Sequence, residues 1–142
     1  MSESMILLVE DDPDHEALAI RALRKANVAN QILVARDGAE AIEYMNGIMS
    51  GQKQMPQLVL LDLKLPKIEG LEVLRVIRAS DRTALLPVVV LTSSDEERDI
   101  VASYRLGVNS YIRKPVNFTD FAEATRQLGM YWLLLNQCPP PQ

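Results

Sequence analysis

Short apolar runs alternate with amphipathic stretches along the chain. The apolar runs predict five β-strands, at residues 5–9, 31–35, 58–61, 88–91 and 110–112. Most are nearly continuous in apolar residues, as expected for strands that are buried on both faces of a sheet. The stretch after each run has helical spacing, which predicts helices over residues 13–26, 39–46, 71–80, 95–106 and 117–136. The pattern therefore predicts five successive βα units.

This alternation predicts the fold class. A βα repeat implies a parallel sheet with right-handed crossovers and helices on both faces, which is an α/β three-layer sandwich. In the flavodoxin-like strand order 2-1-3-4-5, the first and third strands are neighbours and ligands bind at the carboxyl ends of the strands. At 142 residues we expect one domain, with a core over about residues 5–130. An extended final helix and a proline-rich tail would occupy residues 131–142.

Local signals mark two helix boundaries and one loop. Asp12 before Pro13 combines a preferred N-cap residue with a proline at the first helical position. Gly107 is expected to end the fourth helix. The polar stretch 47–56 predicts a longer loop than usual between the second helix and the third strand.

Composition narrows the class of protein. With 48% hydrophobic and 24% charged residues, the chain resembles an ordinary globular protein. No apolar run reaches the length of a membrane helix, and the first residues do not form a secretory signal, so a cytoplasmic location is expected. The single cysteine, Cys138, excludes an internal disulfide. A net charge of −4 argues against a nucleic-acid surface, so the partner should be a protein.

Reactive side chains follow four of the five predicted strands. They are Glu10, Asp11 and Asp12 after the first strand, Asp62 after the third, Thr92 after the fourth and Lys114 after the fifth. Clustered carboxylates repel one another and need a cation. Mg²⁺ fits because it prefers oxygen ligands and binds through one or two carboxylates together with phosphate and water.

This set of groups suggests phosphoryl transfer. With a cation in place, the Asp62 carboxylate becomes a nucleophile toward a phosphoryl donor. The Lys114 ammonium and the Thr92 hydroxyl can then meet the phosphoryl oxygens, which is catalysis by positioning and electrostatics.

Four motifs carry a resemblance to a known family, in the family's order and at the ends of four strands. They are Val9-Glu10-Asp11-Asp12, Leu61-Asp62-Leu63-Lys64-Leu65-Pro66 through Gly70, Leu91-Thr92-Ser93-Ser94 and Tyr111-Ile112-Arg113-Lys114-Pro115. The chain resembles the response-regulator receiver family from end to end. The resemblance implies a phospho-accepting switch that is not an enzyme in the ordinary sense and that receives its phosphoryl group from a histidine kinase.

The resemblance also implies a role for each site residue. Asp62 matches the phosphorylated residue, Asp11 a direct Mg²⁺ ligand and Glu10 an acid that acts on the metal through water. The backbone carbonyl of Lys64 matches the remaining protein ligand of the metal. Lys114 matches the lysine that pairs with the phosphoryl group.

Other positions match the switch of the family. Thr92 matches the hydroxyl that moves toward the phosphoryl group, and Tyr111 the aromatic residue that turns inward when it does. The peptide bond before Pro115 is usually cis in receivers. Lys64 and Ser94 match the variable positions that flank the path of the attacking water.

A narrower resemblance links the chain to the single-domain regulators of bacterial and cyanobacterial phytochromes. It rests on the long loop before Pro56, on residues 61–67 and on Tyr131-Trp132-Leu133. It implies a chain without an output domain that forms a homodimer through the fourth helix, the fifth strand and the fifth helix. Residues 131–135 are apolar on every face of a helix, which favours a subunit interface over packing within the chain.

Three alternatives remain open from the sequence. The first is a phosphate-ester hydrolase that uses Asp12-Pro13-Asp14, although this segment fits a helix cap better. The second is a flavin or nucleotide binder, which the acidic residues after the first strand disfavour. The third is a receiver-shaped scaffold that no longer takes phosphate. His15, the only histidine, is interpreted as a solvated residue on a helix surface.

Overall fold

The computed structural model describes residues 5–25, 27–94, 96–114, 117–129 and 131. Its five strands are β1 Met5–Val9, β2 Gln31–Ala35, β3 Leu58–Leu61, β4 Val88–Thr92 and β5 Ser110–Arg113. All strand pairs are parallel and the order is β2-β1-β3-β4-β5. The predicted flavodoxin-like fold is therefore confirmed. β4 and β5 each extend one residue beyond the predicted end, so Thr92 lies inside its strand.

The helices follow the strands in the predicted alternation. They are α1 Pro13–Lys25, α2 Gly38–Met49, α3 Gly70–Ala79, α4 Glu97–Arg105 and α5 Phe118–Gly129. Among the residues that the structure describes, no helix combines the length and apolar character that crossing a membrane requires. The predicted continuation of the last helix over residues 130–136 lies outside the described residues, apart from Tyr131.

Both ends of α2 differ from the sequence prediction for physical reasons. The Asp37 side chain accepts a hydrogen bond from the Glu40 backbone N–H at 2.8 Å and caps α2, so this helix begins earlier than expected. It also runs on through Gly47, because Ile48 in the next position is buried in the core. α4 begins at Glu97, two residues later than predicted.

The sheet separates two hydrophobic cores. Consecutive strand residues point to opposite faces, so Leu7 packs with the core under α2 and α3, whereas Leu8 packs with the core under α1 and α5. This explains why β1 and β3 are apolar at every position. Burial of both faces also fixes the register of the strands, since a slip of one residue would exchange the two faces.

Arg78 of α3 joins two segments at the amino ends of β4 and β5. Its guanidinium donates hydrogen bonds to five backbone carbonyls at distances of 2.8–3.4 Å, those of Thr83, Ala84, Leu86, Leu106 and Gly107. These carbonyls belong to the loop before β4 and to the end of α4. Gly107 ends α4 as predicted, with a φ of 76° that suits glycine. Burial lowers the pKa of Arg78.

Gly70 places α3 against the loop after β3. A side-chain Cβ at this position would lie 2.3 Å from the carbonyl oxygen of Asp62 and 2.6 Å from the Cα of Leu63. Only glycine allows this close approach without a shift of the backbone. The backbone N–H of Gly70 donates to the Leu63 carbonyl at 3.0 Å, which ties the start of the helix to the segment that carries Asp62.

Candidate functional site

Three carboxylates meet at the carboxyl ends of β1 and β3. Glu10 and Asp11 follow β1, and Asp62 follows β3. Val9 lies opposite Leu61 in the register of the two strands, so the acids that come next are neighbours. One carboxylate oxygen from each acid lies within 4.8 Å of the other two. Glu10 and Asp62 are buried and Asp11 is exposed, so the cluster reaches solvent at Asp11.

The Asp62 carboxylate accepts three hydrogen bonds. Its Oδ1 accepts from the Thr92 hydroxyl at 2.7 Å and from the backbone N–H of Lys64 at 3.0 Å. Its Oδ2 accepts from the Lys114 ammonium at 2.8 Å. Both oxygens are therefore held in place, and Thr92 and Lys114 contact the same carboxyl group from β4 and from the end of β5.

The Lys114 ammonium bridges two buried acids. Its Nζ lies 2.6 Å from Glu10 Oε1 and 2.8 Å from Asp62 Oδ2, and its side chain is almost fully buried. The backbone N–H of Lys114 donates to the Thr92 carbonyl at 2.7 Å, so the strand ladder itself sets the position of the residue. One positive charge thus faces two negative charges, and the nearby Asp11 adds a third acid.

The charge balance of this cluster changes two pKa values. Burial raises the pKa of Glu10 to about 7; Lys114 opposes this shift, and the neighbouring Asp62 adds to it. Burial favours the neutral form of Lys114, but the negative charge of Asp62 and the hydrogen bonds to Asp62 and Glu10 outweigh this and raise the pKa of Lys114. The acids therefore need more positive charge than Lys114 alone supplies. An all-oxygen cluster of this kind fits a hard divalent cation.

The raised pKa of Glu10 predicts a pH dependence of stability. The folded pKa of about 7 lies above the ordinary value of 4.5, so this group stabilises the metal-free protein fully below pH 4.5 and loses that contribution as the pH rises through 7. The expected loss is at most about 3 kcal/mol in the free energy of unfolding. Urea unfolding in EDTA across this range measures it. Glu10→Gln should flatten the slope, and equal slopes in both proteins would contradict the assignment.

His15 corrects one sequence prediction. It was expected to be a solvated surface residue, but the structure places it half-buried beside the acidic cluster. Its Nδ1 lies 3.0 Å from Lys114 Nζ, and its ring stacks on Phe121 at 5.1 Å between centroids. No sequence pattern indicates this contact, because Lys114 and Phe121 approach α1 only when β5 and α5 are packed.

Asp12 serves as a helix cap. Its Oδ1 accepts from the backbone N–H groups of Asp14 at 2.8 Å and His15 at 3.3 Å, at the start of α1. Asp14 is exposed. The Asp12-Pro13-Asp14 segment therefore begins a helix, and the arrangement disfavours the hydrolase alternative that requires this pair.

Thr92 and Tyr111 each donate a hydrogen bond to a neighbouring group. The expectation was that Tyr111 turns inward after Thr92 moves toward a phosphoryl group. In this structure Thr92 donates to Asp62, and the Tyr111 hydroxyl donates to the Ser94 carbonyl at 2.8 Å while its ring packs against the core.

The two positions expected to flank the attacking water make other contacts. Ser94 is buried, and its hydroxyl donates to Asp99 Oδ2 at 2.5 Å. The Lys64 ammonium lies 3.7 Å from Glu96 Oε1, and both side chains are half-exposed. The Lys64 ammonium therefore remains at the rim of the site, whereas the Ser94 hydroxyl is directed to α4.

Some predictions fall on residues that the structure does not describe. These are the peptide bond before Pro115, the apolar stretch beyond Tyr131 and Cys138. The Lys64 carbonyl as a metal ligand also remains a prediction; the N–H of this residue donates to Asp62.

Comparison with known proteins agrees with the fold and with the motifs. The sequence pattern of the "Response regulator receiver domain" family matches residues 6–126. A probable methanogenesis regulatory protein, FilR2 of Methanothrix harundinacea, is 41% identical over 96% of this chain and 88% of its own length. Response regulator Rcp1 of Synechocystis is 36% identical over 91% of this chain and 88% of its own length.

Solved structures of receivers superpose closely. The Mn²⁺-bound form of Rcp1 has a TM-score of 0.90 at 35% identity, covering 96% of this chain and 99% of that one. The phosphorylated cyanobacterial phytochrome response regulator RcpA has a TM-score of 0.91 at 36% identity, covering 98% and 100%. The bacteriophytochrome response regulator AtBRR is 49% identical with a TM-score of 0.71, covering 96% and 100%.

The family match covers most of the chain, and the relatives align over nearly their whole length. The strand order and the acidic cluster agree with that match. This protein therefore belongs to the response regulator receiver family of two-component signalling, and phytochrome-associated response regulators are among its homologues.

Proposed function

We propose that this receiver takes a phosphoryl group from a histidine kinase onto Asp62 in a Mg²⁺-dependent step. One observation carries the proposal. The Asp62 carboxylate lies among a hydroxyl, an ammonium and a backbone N–H, beside two further acids. Donors that already surround a carboxylate can stabilise the charge that a phosphoryl group brings to it.

Each site residue has its own role in phosphoryl transfer. One oxygen of Asp62 attacks the phosphorus, the bond to the donor breaks, and the donor leaves with the electron pair of that bond. The Lys114 ammonium and the Thr92 hydroxyl, now on Asp62, then donate to phosphoryl oxygens. Glu10 and Asp11, with Asp62 and the Lys64 carbonyl, would hold Mg²⁺. When bound, Mg²⁺ neutralises the acids and the phosphoryl oxygens.

Thr92 and Tyr111 would then transmit the change. The Thr92 hydroxyl can donate either to Asp62 or to the phosphoryl group. A shift of Thr92 toward the phosphoryl group would free the space that its side chain now fills on β4. Tyr111 contacts the Ser94 carbonyl in the loop before α4, so the state of this loop and of Tyr111 would change together. Such an element has two states, and the charge at Asp62 biases them.

The signal would leave through protein contacts. The kinase partner would be a bacteriophytochrome, since phytochrome regulators are among the relatives of this chain. We also propose a homodimer through α4, β5 and α5 and the C-terminal segment. Val101 and Tyr104 of α4 and Tyr131 are apolar side chains that are 44%, 52% and 52% exposed. Val101 and Tyr104 lie three residues apart and so share a face of α4, and exposed apolar side chains there support an interface.

Two broader expectations accompany this proposal. A phospho-accepting switch fits receiver-family membership, and only slow phosphotransfer and self-dephosphorylation are expected of the chain itself. A single receiver domain in the cytoplasm remains our prediction from the sequence.

Acetyl phosphate tests the proposal without the kinase. Wild-type protein incubated with acetyl phosphate and Mg²⁺ should gain one phosphoryl group by intact mass, and the gain should disappear in EDTA. Hydroxylamine should remove the group, because it cleaves acyl phosphates. A gain that needs no divalent cation, or that survives hydroxylamine, would count against an aspartyl phosphate at this site.

A further inference from the structure

The Lys114 ammonium has three N–H bonds and faces three acceptors. Two are the acids already described, Glu10 Oε1 at 2.6 Å and Asp62 Oδ2 at 2.8 Å. The third is His15 Nδ1 at 3.0 Å. An ammonium donates three hydrogen bonds and accepts none, so the imidazole completes its hydrogen bonding.

The contact defines the state of the imidazole. Since Lys114 can only donate, Nδ1 of His15 must offer its lone pair, and the proton of the neutral ring lies on Nε2. Asp12 Oδ2 lies 3.6 Å from the same Nδ1, which is longer than the contact with Lys114. A proton on Nδ1 would suit Asp12 but would point at the ammonium.

His15 is held in place at its backbone and at its ring. The backbone N–H of His15 is bound to the Asp12 cap at 3.3 Å, and the ring stacks on Phe121 with 25° between the planes. Phe121 is buried, and its ring centroid lies 5.9 Å from Lys114 Nζ. His15 on α1 and Phe121 on α5 therefore lie side by side next to the Lys114 ammonium.

We propose that His15 is a positioning residue for Lys114 in phosphoryl transfer, acting through the Lys114 Nζ–His15 Nδ1 hydrogen bond. When a phosphoryl group arrives on Asp62, Lys114 must redirect one N–H from Asp62 Oδ2 to a phosphoryl oxygen. Glu10 and His15 keep the other two N–H bonds and so hold the ammonium in place during this exchange. This inference rests on the proposed function only for the rate of transfer; the tautomer of His15 follows from the geometry alone.

Two substitutions separate the acceptor from the ring. His15→Phe keeps an aromatic ring against Phe121 and removes the acceptor. His15→Asn removes the ring and keeps an acceptor oxygen near the place of Nδ1. If His15 positions Lys114, His15→Phe should phosphorylate from acetyl phosphate on the order of tenfold more slowly than wild type, and His15→Asn should recover most of the rate. Mg²⁺ affinity, measured by calorimetry, should be unchanged in both, because His15 is not among the proposed ligands.

A second measurement does not depend on phosphorylation. His15 is the only histidine, so its ring nitrogens give an unambiguous ¹⁵N NMR signal. These signals distinguish the charged ring from both neutral tautomers, and the neutral ring of wild-type protein should carry its proton on Nε2. In Lys114→Met this preference should weaken.

The outcomes are distinct. Wild-type rates in His15→Phe, equal slowing in His15→Phe and His15→Asn, or a proton on Nδ1 in wild type would each overturn the role of His15. Failure of wild type to accept phosphate would overturn the proposed function, while the tautomer would still test the contact.

Discussion

Asp62→Asn is expected to abolish phosphorylation by acetyl phosphate, with a loss of at least about a thousandfold in the initial rate. The amide has no nucleophilic oxygen comparable to a carboxylate, although its carbonyl can still accept from the Thr92 hydroxyl and the Lys64 N–H. The measurement is the fraction of protein that carries a phosphoryl group, by intact mass, after times at which wild type is fully labelled.

The same variant should remain folded. Lys114 keeps Glu10 and His15 as acceptors, and one of the clustered negative charges is gone, so we expect the free energy of unfolding to stay within about 1 kcal/mol of wild type. Asp14→Asn is the matched control, because Asp14 is an exposed acid at the start of α1. It should be labelled like wild type. Labelling of Asp62→Asn at the wild-type rate would place the acceptor elsewhere.

Arg78→Met is expected to destabilise the protein by about 3 kcal/mol. Methionine keeps much of the aliphatic stem, but five backbone carbonyls lose a charged donor. Burial of unpaired carbonyls is costly, and the loop before β4 and the end of α4 lose the group that joins them. The free energy of unfolding from urea titration measures the effect.

Arg75→Met provides the control on the same helix. Arg75 is exposed and, within the part of the chain that the structure describes, pairs only with Glu72, at 2.9 Å. Ion pairs of this kind contribute about 1 kcal/mol or less, so its removal should change stability little. A loss in Arg78→Met no larger than in Arg75→Met would show that the carbonyl contacts do not stabilise the fold.

The fold could be predicted because a single physical rule determines it. Strands covered by helices on both faces must be apolar at consecutive positions, as at Leu7 and Leu8, whose side chains enter different cores. Once five such strands alternate with helices, handedness and crossover rules leave few topologies. The flavodoxin-like order is one of these topologies, and it places the acids that follow β1 and β3 next to each other.

Side-chain contacts between distant elements could not be predicted in this way. Arg78 has the sequence appearance of a solvated helix residue, yet it binds carbonyls on two other segments. His15 has charged neighbours, yet it lies against Lys114 and Phe121. Hydrophobic periodicity shows which face of a helix or strand is apolar. It does not show which polar groups of other segments a polar side chain contacts.

The bridge made by Lys114 joins residues that are far apart in the sequence. Its partners Glu10 and Asp62 are 104 and 52 residues away in sequence. Until β5 has joined the sheet, these acids lack the counter-charge that the finished site supplies. A nascent or partly unfolded chain therefore has the acceptor aspartate without its electrostatic environment. The ability to accept a phosphoryl group is thus coupled to completion of folding, and incompletely folded molecules would not be phosphorylated by mistake.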